Sequence, residues 1–591
     1  MAPAFSRTLV LLFAGLAWIV ACIWLLHSSS HLLTDRLGDA DDAMRLVHVR
    51  QLLSGQGWFD LHFDRIQPPQ GYDSHWSRLI DAGLAGLYRL LVLAADAGRA
   101  EILMRATWPL LWLFPALAAV ALAAARVAGL PAAVLALVFS AVSIAGLEQF
   151  RPGRIDHHNV QIALAVMCVA AIVWSDRSRL AAALAGLFAG AMLAMGLENS
   201  PFVMLAAAAM ALRYVFSTGA GRETAAFGLA LAATAVGVLL GSVPPAAWSI
   251  MRCDAVAANI ALPVAAGGVL LALAGALPWA SVDPSRRLLA TGFALLIALA
   301  LFVGLEPDCI NGPFAHVDPA IRPIWLDHVK EARSFFGTIE AGRAGAAVGS
   351  ITYPLVTLVA GIIMAARLGW RERFPRLVLL AALLMSLCLL MALIRTFTYA
   401  VWFAVPVIAI AVVDFWQSFR MNSPAARAAS AAIASPLAVT AVAVLLVQAI
   451  APAANDNAES GQENACAASA SYRTLAGLPA GLVVSEINLA PLILALTPHS
   501  VLSAPYHRLS SGIVDTHGFF SSPAPEALAI ARARNIAYVY FCPTFVFNGF
   551  ERARRDGTLW HDLAEGRIPP WLELVPQSAG EPIRIFKIAG P

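Results

Sequence analysis

Residues 105–126 read RATWPLLWLFPALAAVALAAAR, an apolar run with an arginine at each end. A transmembrane helix needs about 20 largely apolar residues, so this run has the length and composition of a membrane span. Comparable runs recur along the chain and predict about thirteen spans, at residues 8–28, 105–126, 131–149, 159–175, 180–197, 201–217, 224–248, 258–280, 287–305, 351–367, 377–394, 399–415 and 429–450. The sequence therefore predicts a polytopic α-helical membrane protein.

The composition of the whole chain supports this prediction. Of its 591 residues, 59% are hydrophobic and 13% are charged, whereas soluble domains carry about 25% charged residues. Too few polar side chains remain to cover the surfaces of several soluble domains. Acids and bases nearly balance, with a net charge of +3, so nothing in the composition indicates nucleic-acid binding. The seven cysteines include no pair or cluster with the spacing of a zinc site.

Orientation follows from the rule that arginine and lysine concentrate in short cytoplasmic loops. With a cytoplasmic N-terminus, and with the first span kept as an anchor, the arginines of the intervening loops fall inside. They are Arg126, Arg177, Arg179, Arg213, Arg222, Arg286, Arg287, Arg367, Arg371, Arg373, Arg376, Arg420 and Arg427. Loops 29–104, 150–158 and 305–350 are then predicted outside. A miscounted weak span, such as 201–217 or 399–415, would invert everything that follows it.

The polar remainder of the chain, residues 452–591, is predicted to be a small extracytoplasmic α/β domain after a membrane domain at 1–451. Short apolar runs at 482–484, 536–541 and 583–588 alternate with helical stretches such as 524–535. Residues 453–472 have the composition of a linker. Within loop 29–104, apolar residues recur at helical spacing over 79–95, which predicts an interfacial helix.

Two acidic segments are predicted on the outer face. Residues 38–45 read GDADDAMR, and residues 151–159 read RPGRIDHHN. In an extended segment Asp156 and His158 can turn to one side and offer an oxygen and a nitrogen ligand to one cation. A solvated acidic loop is the alternative for the first segment, and a polar helix cap is the alternative for the second.

Two further segments share that face. Residues 335–342 read FFGTIEAG and place Glu340 in a glycine-flanked stretch, and residues 395–400 read RTFTYA and place Arg395 at the mouth between two spans. Arg395 either snorkels to the interface or pairs with a phosphate head group. The concentration of all four segments on one face favours a site there. A transporter would instead bury ionisable residues within its spans.

These segments resemble the GT-C membrane glycosyltransferases, and among them the catalytic subunit family of oligosaccharyltransferases. That family has thirteen spans, a cytoplasmic N-terminus, a long first outer loop and a C-terminal domain on the far side. Its metal-binding aspartate corresponds to Asp42, with Asp41 as the near alternative. Its Gly-x-x-Asp-x-His motif fits Gly153 to His158 without a gap. Its Thr-Ile-x-Glu motif matches Thr338-Ile339-Glu340 with one residue missing.

The resemblance also implies roles for these residues. Asp42, Asp156 and Glu340 would be catalytic, and Asp42, Asp156 and His158 would hold a divalent cation, Mn²⁺ or Mg²⁺. Arg395 would bind the phosphate of the donor. The implied reaction is glycosyl transfer from a polyprenyl-phosphate-linked donor to an envelope lipid, glycan or protein, at the outer face of a bacterial inner membrane.

The C-terminal domain departs from the family. Its Trp-Trp-Asp-Tyr-Gly motif, which reads the glycosylation sequon, is absent from the sequence, so the acceptor need not be a protein asparagine. The most distinctive stretch is instead 498–508, PHSVLSAPYHR. It is either a structural strand and turn or a contact to the acceptor or the first outer loop through His507 and Arg508, with Asp41 as a further candidate. A protein-asparagine oligosaccharyltransferase and a lipid-linked glycan flippase stay open as alternatives.

Four cysteines fall in segments that are predicted outside the cell membrane, where disulfides are permitted. Cys253 and Cys309 belong to neighbouring outer loops, and Cys466 and Cys542 both belong to the outer domain. Each of these is a candidate disulfide pair.

Overall fold

The computed structural model describes residues 6–277, 283–329, 333–370, 372–450, 465–544 and 553–589. Its membrane region is a bundle of apolar helices, interrupted by a folded loop. In chain order the larger helices up to residue 450 are α1 (Arg7–Ser28), α2 (Ala40–Leu53), α3 (Arg78–Leu91), α4 (Ala97–Ala141), α5 (His158–Trp174), α6 (Arg179–Met195), α7 (Ser200–Phe216), α8 (Gly221–Ser242), α9 (Ala258–Ala276), α10 (Pro284–Leu305), α11 (Ala344–Arg367), α12 (Arg373–Ala392), α13 (Phe397–Ser418), α14 (Pro424–Ile433) and α15 (Pro436–Ile450).

Helices of this bundle overlap every predicted span. Among the described residues, nine helices are long and apolar enough to cross a membrane, or ten if the bent pair α14 and α15 forms one span. Helices α5 and α6 are apolar but have only 17 residues each. The multi-pass helical architecture is confirmed, and the number of thirteen spans stays a prediction.

Helix α4 contains the boundary that separates two predicted spans. It runs for 45 residues, but Ala128 and Gly129 have non-helical backbone angles, and φ of Gly129 is 77°. Pro131 follows directly, and a proline lacks the amide hydrogen that would continue the helical hydrogen-bond ladder. The break therefore lies between the predicted spans 105–126 and 131–149. The first of these begins earlier than predicted, because the Asp96 side chain caps the helix by accepting from the Arg99 amide at 3.0 Å.

Close helix packing explains the many small residues of the bundle. At Gly228 of α8, an added Cβ atom would lie 2.4 Å from the Gly268 carbonyl oxygen of α9. Small residues let two helix backbones approach closely in a membrane. Helix α13 is the most enclosed span, with 94% of its most apolar window buried, and its Trp402 donates to the Gly146 carbonyl at 2.8 Å.

Charged residues gather at the two ends of α5, which is about 25 Å long by its rise per residue. At its C-terminal end, Arg126 forms ion pairs with Asp176 and, at 2.7 Å, with Glu372. Arg177 also pairs with Glu372, at 3.1 Å. The acidic segments with Asp42 and Asp156 lie at the other end, which we call the acidic end. Arginines predicted to be cytoplasmic thus meet at one end of the bundle and the acidic segments meet at the other.

The described residues from 465 onward form a small α/β domain, the C-terminal domain. Its strands are numbered after β1 (His62–Phe63) and β2 (Tyr72–Asp73) of loop 29–104, and they are β3 (Leu482–Ser485), β4 (Ser500–Val501), β5 (Ile536–Phe541), β6 (Leu572–Leu574) and β7 (Arg584–Ile588). The sheet order is β4-β3-β5-β7-β6, with β4, β3 and β5 parallel and β7 antiparallel to both β5 and β6. Its larger helices are α16 (Ala490–Leu496), α17 (Ser510–Ser521) and α18 (Ala524–Arg534).

The three apolar runs predicted as strands are β3, β5 and β7, and the stretch 524–535 is α18. The prediction of a small α/β domain is confirmed. Residues 453–464 of the predicted linker lie outside the described residues, as does Arg371.

Residues 29–104, which we call the first loop, dock on the edge of this sheet. The Gln67 amide donates to the Val501 carbonyl at 2.8 Å, and the Val501 amide donates to the Arg65 carbonyl at 2.8 Å. The Arg65 guanidinium donates to the carbonyls of Thr497, at 2.6 Å, and His499, at 2.5 Å. The first loop therefore extends the sheet beyond β4 and ties the C-terminal domain to the membrane region.

The helix predicted at 79–95 is α3, and only part of it has the surface that an interfacial helix exposes. Its first turn is buried around Asp81, which accepts from Arg45 at 2.7 Å and from Arg78 at 3.2 Å, with the His48 ring at 3.2 Å. Further along, Leu90 is largely exposed. The helix is thus anchored in the first loop by a buried charge network at one end and presents apolar residues at the other.

A second contact of the C-terminal domain is made by the stretch 498–508. His507 and Arg508 both bind Asp254, at 2.7 Å each, and Arg508 also donates to the Asp73 carbonyl at 3.1 Å. Burial opposes ionisation of Asp254, but hydrogen bonds from His507 and Arg508 and the charge of Arg508 hold its pKa well below the ordinary value. Asp254 follows Cys253, which is paired with Cys309.

Both candidate disulfides are confirmed by the structure, which pairs Cys253 with Cys309 and Cys466 with Cys542. Cys22, Cys168 and Cys388 are free. We expect peptide mapping of the unreduced protein by mass spectrometry to find both pairs. Recovery of all four residues as free thiols from oxidised membranes would contradict this expectation.

Removing the second crosslink should destabilise the C-terminal domain. It joins positions 76 residues apart, and loop closure of that length restricts the unfolded chain by about 4 kcal/mol. The double variant Cys466→Ser/Cys542→Ser should therefore melt at a lower temperature, while Cys388→Ser, a free and exposed cysteine, should melt like the wild type. Equal melting temperatures for all three proteins would contradict the expectation.

The Asp254 contact should control docking of the C-terminal domain. Asp254→Asn removes the negative charge that faces His507 and Arg508, which costs about 2–4 kcal/mol for a buried charged pair. Hydrogen exchange should then accelerate in residues 500–521. The pKa of the Asp254 carboxyl is lowered in the folded protein, so the contact with His507 and Arg508 should be fully present above the ordinary carboxyl range near pH 4. It should weaken only in stronger acid, where Asp254 becomes protonated. Asp308→Asn, on an exposed neighbouring loop residue, is the control, and unchanged exchange in Asp254→Asn would refute this role.

Candidate functional site

Helix α2 begins in the first acidic segment, and its cap organises three aspartates. Asp39 is the N-cap residue, and its side chain accepts from the Asp41 and Asp42 amides at 3.0 Å each. Asp42 returns the interaction by accepting from the Asp39 amide at 3.1 Å, which completes a capping box. A Cβ atom at Gly38 would lie 2.0 Å from a carboxylate oxygen of Asp42, so glycine is required there.

The same Asp42 carboxylate joins the first loop to residues 150–158, the second loop. Its Oδ1 atom accepts from the Ile155 amide at 2.7 Å and from the Asp156 amide at 3.0 Å. Gly153, with φ of 100°, makes the turn that presents these amides. Asp42 is 2% exposed, and burial raises its pKa well above the ordinary value, against the opposing charge of Arg154.

Asp156 lies beside Asp42 and is fully buried. Its Oδ1 accepts from the His158 amide at 3.1 Å, and its Oδ2 lies 2.6 Å from His158 Nδ1. Burial opposes its ionisation, but His158 and Arg154 hold its pKa well below the ordinary value. The pKa shifts of the two neighbouring aspartates thus have opposite directions, because only Asp156 has a histidine against its carboxylate.

Arg154 connects all three carboxylates. Its Nη1 forms ion pairs with Asp39 and, at 2.8 Å, with Asp42, and its Nη2 pairs with Asp156 at 3.1 Å. Nη2 also donates to Gln149 at 3.1 Å. Arg154 was not among the predicted site residues, although it lies inside the segment RPGRIDHHN. In the sequence, the feature that could have indicated Arg154 is its position two residues before Asp156.

The cluster has the composition of a cation site. Asp39, Asp42 and Asp156 each offer a carboxylate oxygen, and these oxygens lie within 4.8 Å of one another. Carboxylates at such distances suit a hard divalent cation. The structure brings the predicted residues Asp42 and Asp156 together and adds Asp39, whereas His158 is placed behind Asp156 through its Nδ1. Glu306, Asp308 and His316 form a second such group among the described residues, on a more exposed loop.

Glu340 is placed differently from the two aspartates. It ends a six-residue helix, Phe335–Glu340, and is exposed. Within the described part of the chain, no hydrogen bond or ion pair joins it to the acidic cluster.

Arg395 lies one turn before α13 and pairs with Glu198, a residue that the sequence analysis missed. Glu198 follows α6, nearly 200 positions away, so sequence spacing gave no signal for this pair. Shortly after Arg395, the Tyr399 hydroxyl of α13 donates to Gln161 of α5 at 3.3 Å, which places Arg395 near the start of α5, where the second loop ends. A guanidinium at this position can bind an anion such as a phosphate group.

Aromatic rings connect the C-terminal domain with the cluster. Tyr506 packs against Trp76 of the first loop, with ring centroids 5.6 Å apart, and Trp76 packs against His157 at 5.8 Å. The Tyr506 hydroxyl donates to Asp41 at 3.4 Å. Among the residues predicted as contacts, Asp41 of the first loop thus touches the C-terminal domain directly. His507 and Arg508 belong to that domain and bind Asp254.

Comparison with known proteins gives matches at the level of structure. No protein-family model matches the chain, and no curated protein matches it. The oligosaccharyltransferase of Archaeoglobus fulgidus in its apo form superposes with a TM-score of 0.66 at 16% identity, over 91% of this chain and 69% of that one. The oligosaccharyltransferase AglB from the same organism, in complex with an inhibitory peptide and a dolichol-phosphate, gives 0.63 at 15% identity over 90% and 69%.

A third similar structure is the Archaeoglobus fulgidus oligosaccharyltransferase in complex with Zn and sulfate. It superposes with a TM-score of 0.63 at 15% identity, over 98% of this chain and 73% of that one. At such identities the likeness concerns the fold. The likeness confirms the predicted fold, the GT-C arrangement that these oligosaccharyltransferase structures share.

Proposed function

We propose that this protein is a glycosyltransferase that moves a sugar or oligosaccharide from a polyprenyl-phosphate-linked donor to an envelope acceptor. The observation that carries the proposal is the cluster of three carboxylates in the two predicted outer loops of a GT-C fold, in which Asp42 and Asp156 are buried and Asp39 is partly exposed. Arg395 beside the second loop supplies the cationic group that such a donor needs. We place the reaction on the periplasmic face of a bacterial inner membrane, with a cytoplasmic N-terminus and a periplasmic C-terminal domain.

The reaction exchanges one bond at the anomeric carbon of the sugar. A nucleophilic atom of the acceptor bonds to that carbon, while the bond from the carbon to the donor's phosphate oxygen breaks and its electron pair goes to the phosphate. The proton of the acceptor passes to a carboxylate of the cluster. Negative charge therefore develops on the leaving phosphate, and groups that stabilise this charge accelerate the reaction.

The protein's own residues divide this work. Asp42 and Asp156, with Asp39, would hold a divalent cation, Mn²⁺ or Mg²⁺, and His158 orients Asp156 through the 2.6 Å contact. When bound, the cation neutralises phosphate charge as a Lewis acid. Arg395 binds the donor phosphate in the position that Glu198 prepares, and Glu340 lies on the acceptor side. A carboxylate set suits either metal, and direct ligation by His158 would favour Mn²⁺.

The identity of the acceptor is less constrained by the sequence and the structure than that of the donor. The first two similar structures are named as oligosaccharyltransferases, and one contains a peptide, which favours a protein-asparagine oligosaccharyltransferase as the second candidate. The Trp-Trp-Asp-Tyr-Gly motif is absent from this sequence, which favours a different acceptor. Tyr506, His507 and Arg508 occupy the part of the C-terminal domain nearest the site, and we assign them to the acceptor side of the first loop.

The proposal predicts metal-dependent transfer that needs two aspartates. In lipid nanodiscs that contain a polyprenyl-phosphate-linked sugar and envelope extract, purified wild type should transfer the sugar when Mn²⁺ or Mg²⁺ is present and stop when EDTA is added. Asp42→Asn and Asp156→Asn should each lower the rate by about 100-fold or more, because charge stabilisation of the leaving group is lost.

Asp64→Asn is the matched control, since Asp64 lies in the same loop but is 94% exposed, and its rate should equal that of the wild type. Full transfer by correctly folded Asp42→Asn and Asp156→Asn proteins, or transfer that EDTA leaves unchanged, would overturn the metal-assisted mechanism.

Arg395 should act on the donor. Arg395→Ala removes the guanidinium that faces the phosphate, so kcat/KM for the lipid-linked donor should fall by about 10- to 100-fold. Arg395→Lys keeps a charge without the bidentate geometry and should retain part of the activity. Arg322→Ala, at an exposed arginine of loop 305–350, is the control. An unchanged kcat/KM in Arg395→Ala would assign the residue a purely interfacial role.

A further inference from the structure

Arg154 occupies the space between the carboxylates that are proposed to bind the cation. Its guanidinium reaches Asp39, Asp42 and Asp156 at once. The side chain is 12% exposed, and its Nε atom is buried without a hydrogen-bond partner among the described residues. One side chain thus supplies positive charge to two buried carboxylates and to the partly exposed Asp39.

The oxygens that Arg154 binds are those a cation would need. Asp42 Oδ1 is already occupied by the Ile155 and Asp156 amides, and Asp156 Oδ1 accepts from the His158 amide. Arg154 pairs with Oδ2 of Asp39, Asp42 and Asp156. Asp42 Oδ2 also accepts from the Asp39 amide, and Asp156 Oδ2 also lies 2.6 Å from His158 Nδ1, but these three Oδ2 atoms share Arg154 as their cationic partner. A divalent cation and this guanidinium therefore compete for the same atoms.

We propose that Arg154 is an internal competitor of the divalent cation: it holds the three carboxylates together in the metal-free protein and must leave them when the cation binds. This inference rests on the proposed function, because it concerns the same site. It assigns Arg154 as a positioning residue that sets the metal affinity. Without a positive charge at this place, three carboxylates within 4.8 Å would repel one another, most strongly the buried pair Asp42 and Asp156.

The competition has a direct consequence for affinity. Some ligands bind only the state in which Arg154 has left the carboxylates. The apparent affinity of such a ligand is reduced in proportion to the fraction of molecules in that state. If Arg154 is released in about a tenth of the molecules or fewer, its removal should tighten metal binding by about tenfold or more. A residue that only supported the local structure would act in the opposite direction, because its loss would disorganise the ligands.

The test is the affinity of purified protein for Mn²⁺ alone, measured by electron paramagnetic resonance without a donor or acceptor. Arg154→Gln should bind Mn²⁺ at least about tenfold more tightly than the wild type. Arg154→Lys keeps a charge, but one ammonium group does not bridge three carboxylates as a guanidinium does, so its affinity should be intermediate. Arg151→Gln, in the same loop but paired with Glu148, should bind like the wild type.

A second readout uses thermal stability. Metal-free Arg154→Gln should melt below the wild type, and Mn²⁺ should raise its melting temperature by more than it raises that of the wild type, since binding to the folded state is tighter. If Arg154→Gln does not fold, the comparison of Arg154→Lys with the wild type carries the test.

Equal or weaker Mn²⁺ binding by the Arg154 variants, beside clear binding by the wild type, would overturn the competition and leave the proposed metal site intact. Absence of Mn²⁺ binding in the wild type and in every variant would overturn both the competition and the metal-assisted mechanism.

Discussion

The acidic end of this protein depends on how a single carboxylate, that of Asp42, is satisfied away from water. It accepts from the Asp39 amide at the start of α2 and from the Ile155 and Asp156 amides of the second loop. A buried carboxylate is tolerated only with hydrogen bonds and a nearby positive charge. The two bonds from the second loop, together with Arg154, therefore hold two loops together whose residues are more than 100 positions apart in the sequence. Asp156 reaches the cluster because of this connection.

The C-terminal domain lies at the acidic end of the bundle and completes that end of the molecule. Its sheet is continued by the first loop at Val501, and its stretch 498–508 binds Asp254, next to a disulfide. Because β-edge hydrogen bonds, a buried ion pair and a covalent crosslink act together, the position of Tyr506 relative to Trp76 and Asp41 is fixed. A domain without the sequon motif can thus still form one wall of the site.

The sequence predicted those features of the structure that depend on residues close together in the chain. Runs of apolar residues predicted the helical membrane region and a boundary between residues 126 and 131, and short apolar runs predicted β3, β5 and β7. The motifs around Asp42 and Asp156 predicted which aspartates meet. Arg154 and Asp39 were missed as site members because their role follows from pairing across two loops. Glu198 and Asp254 were missed because their partners, Arg395 and Arg508, are nearly 200 or more positions away, and a single sequence holds no signal for such pairs.

We propose that the acidic cluster serves sugar transfer to the cell envelope. The most direct measurement is the glycan and intact-mass profile of envelope fractions from cells that lack the gene, complemented with wild type or with Asp156→Asn at equal protein level. We expect one sugar-bearing envelope species that the wild type restores and the variant does not. Identical profiles in the two complemented strains, or a profile that does not respond to the gene at all, would contradict it.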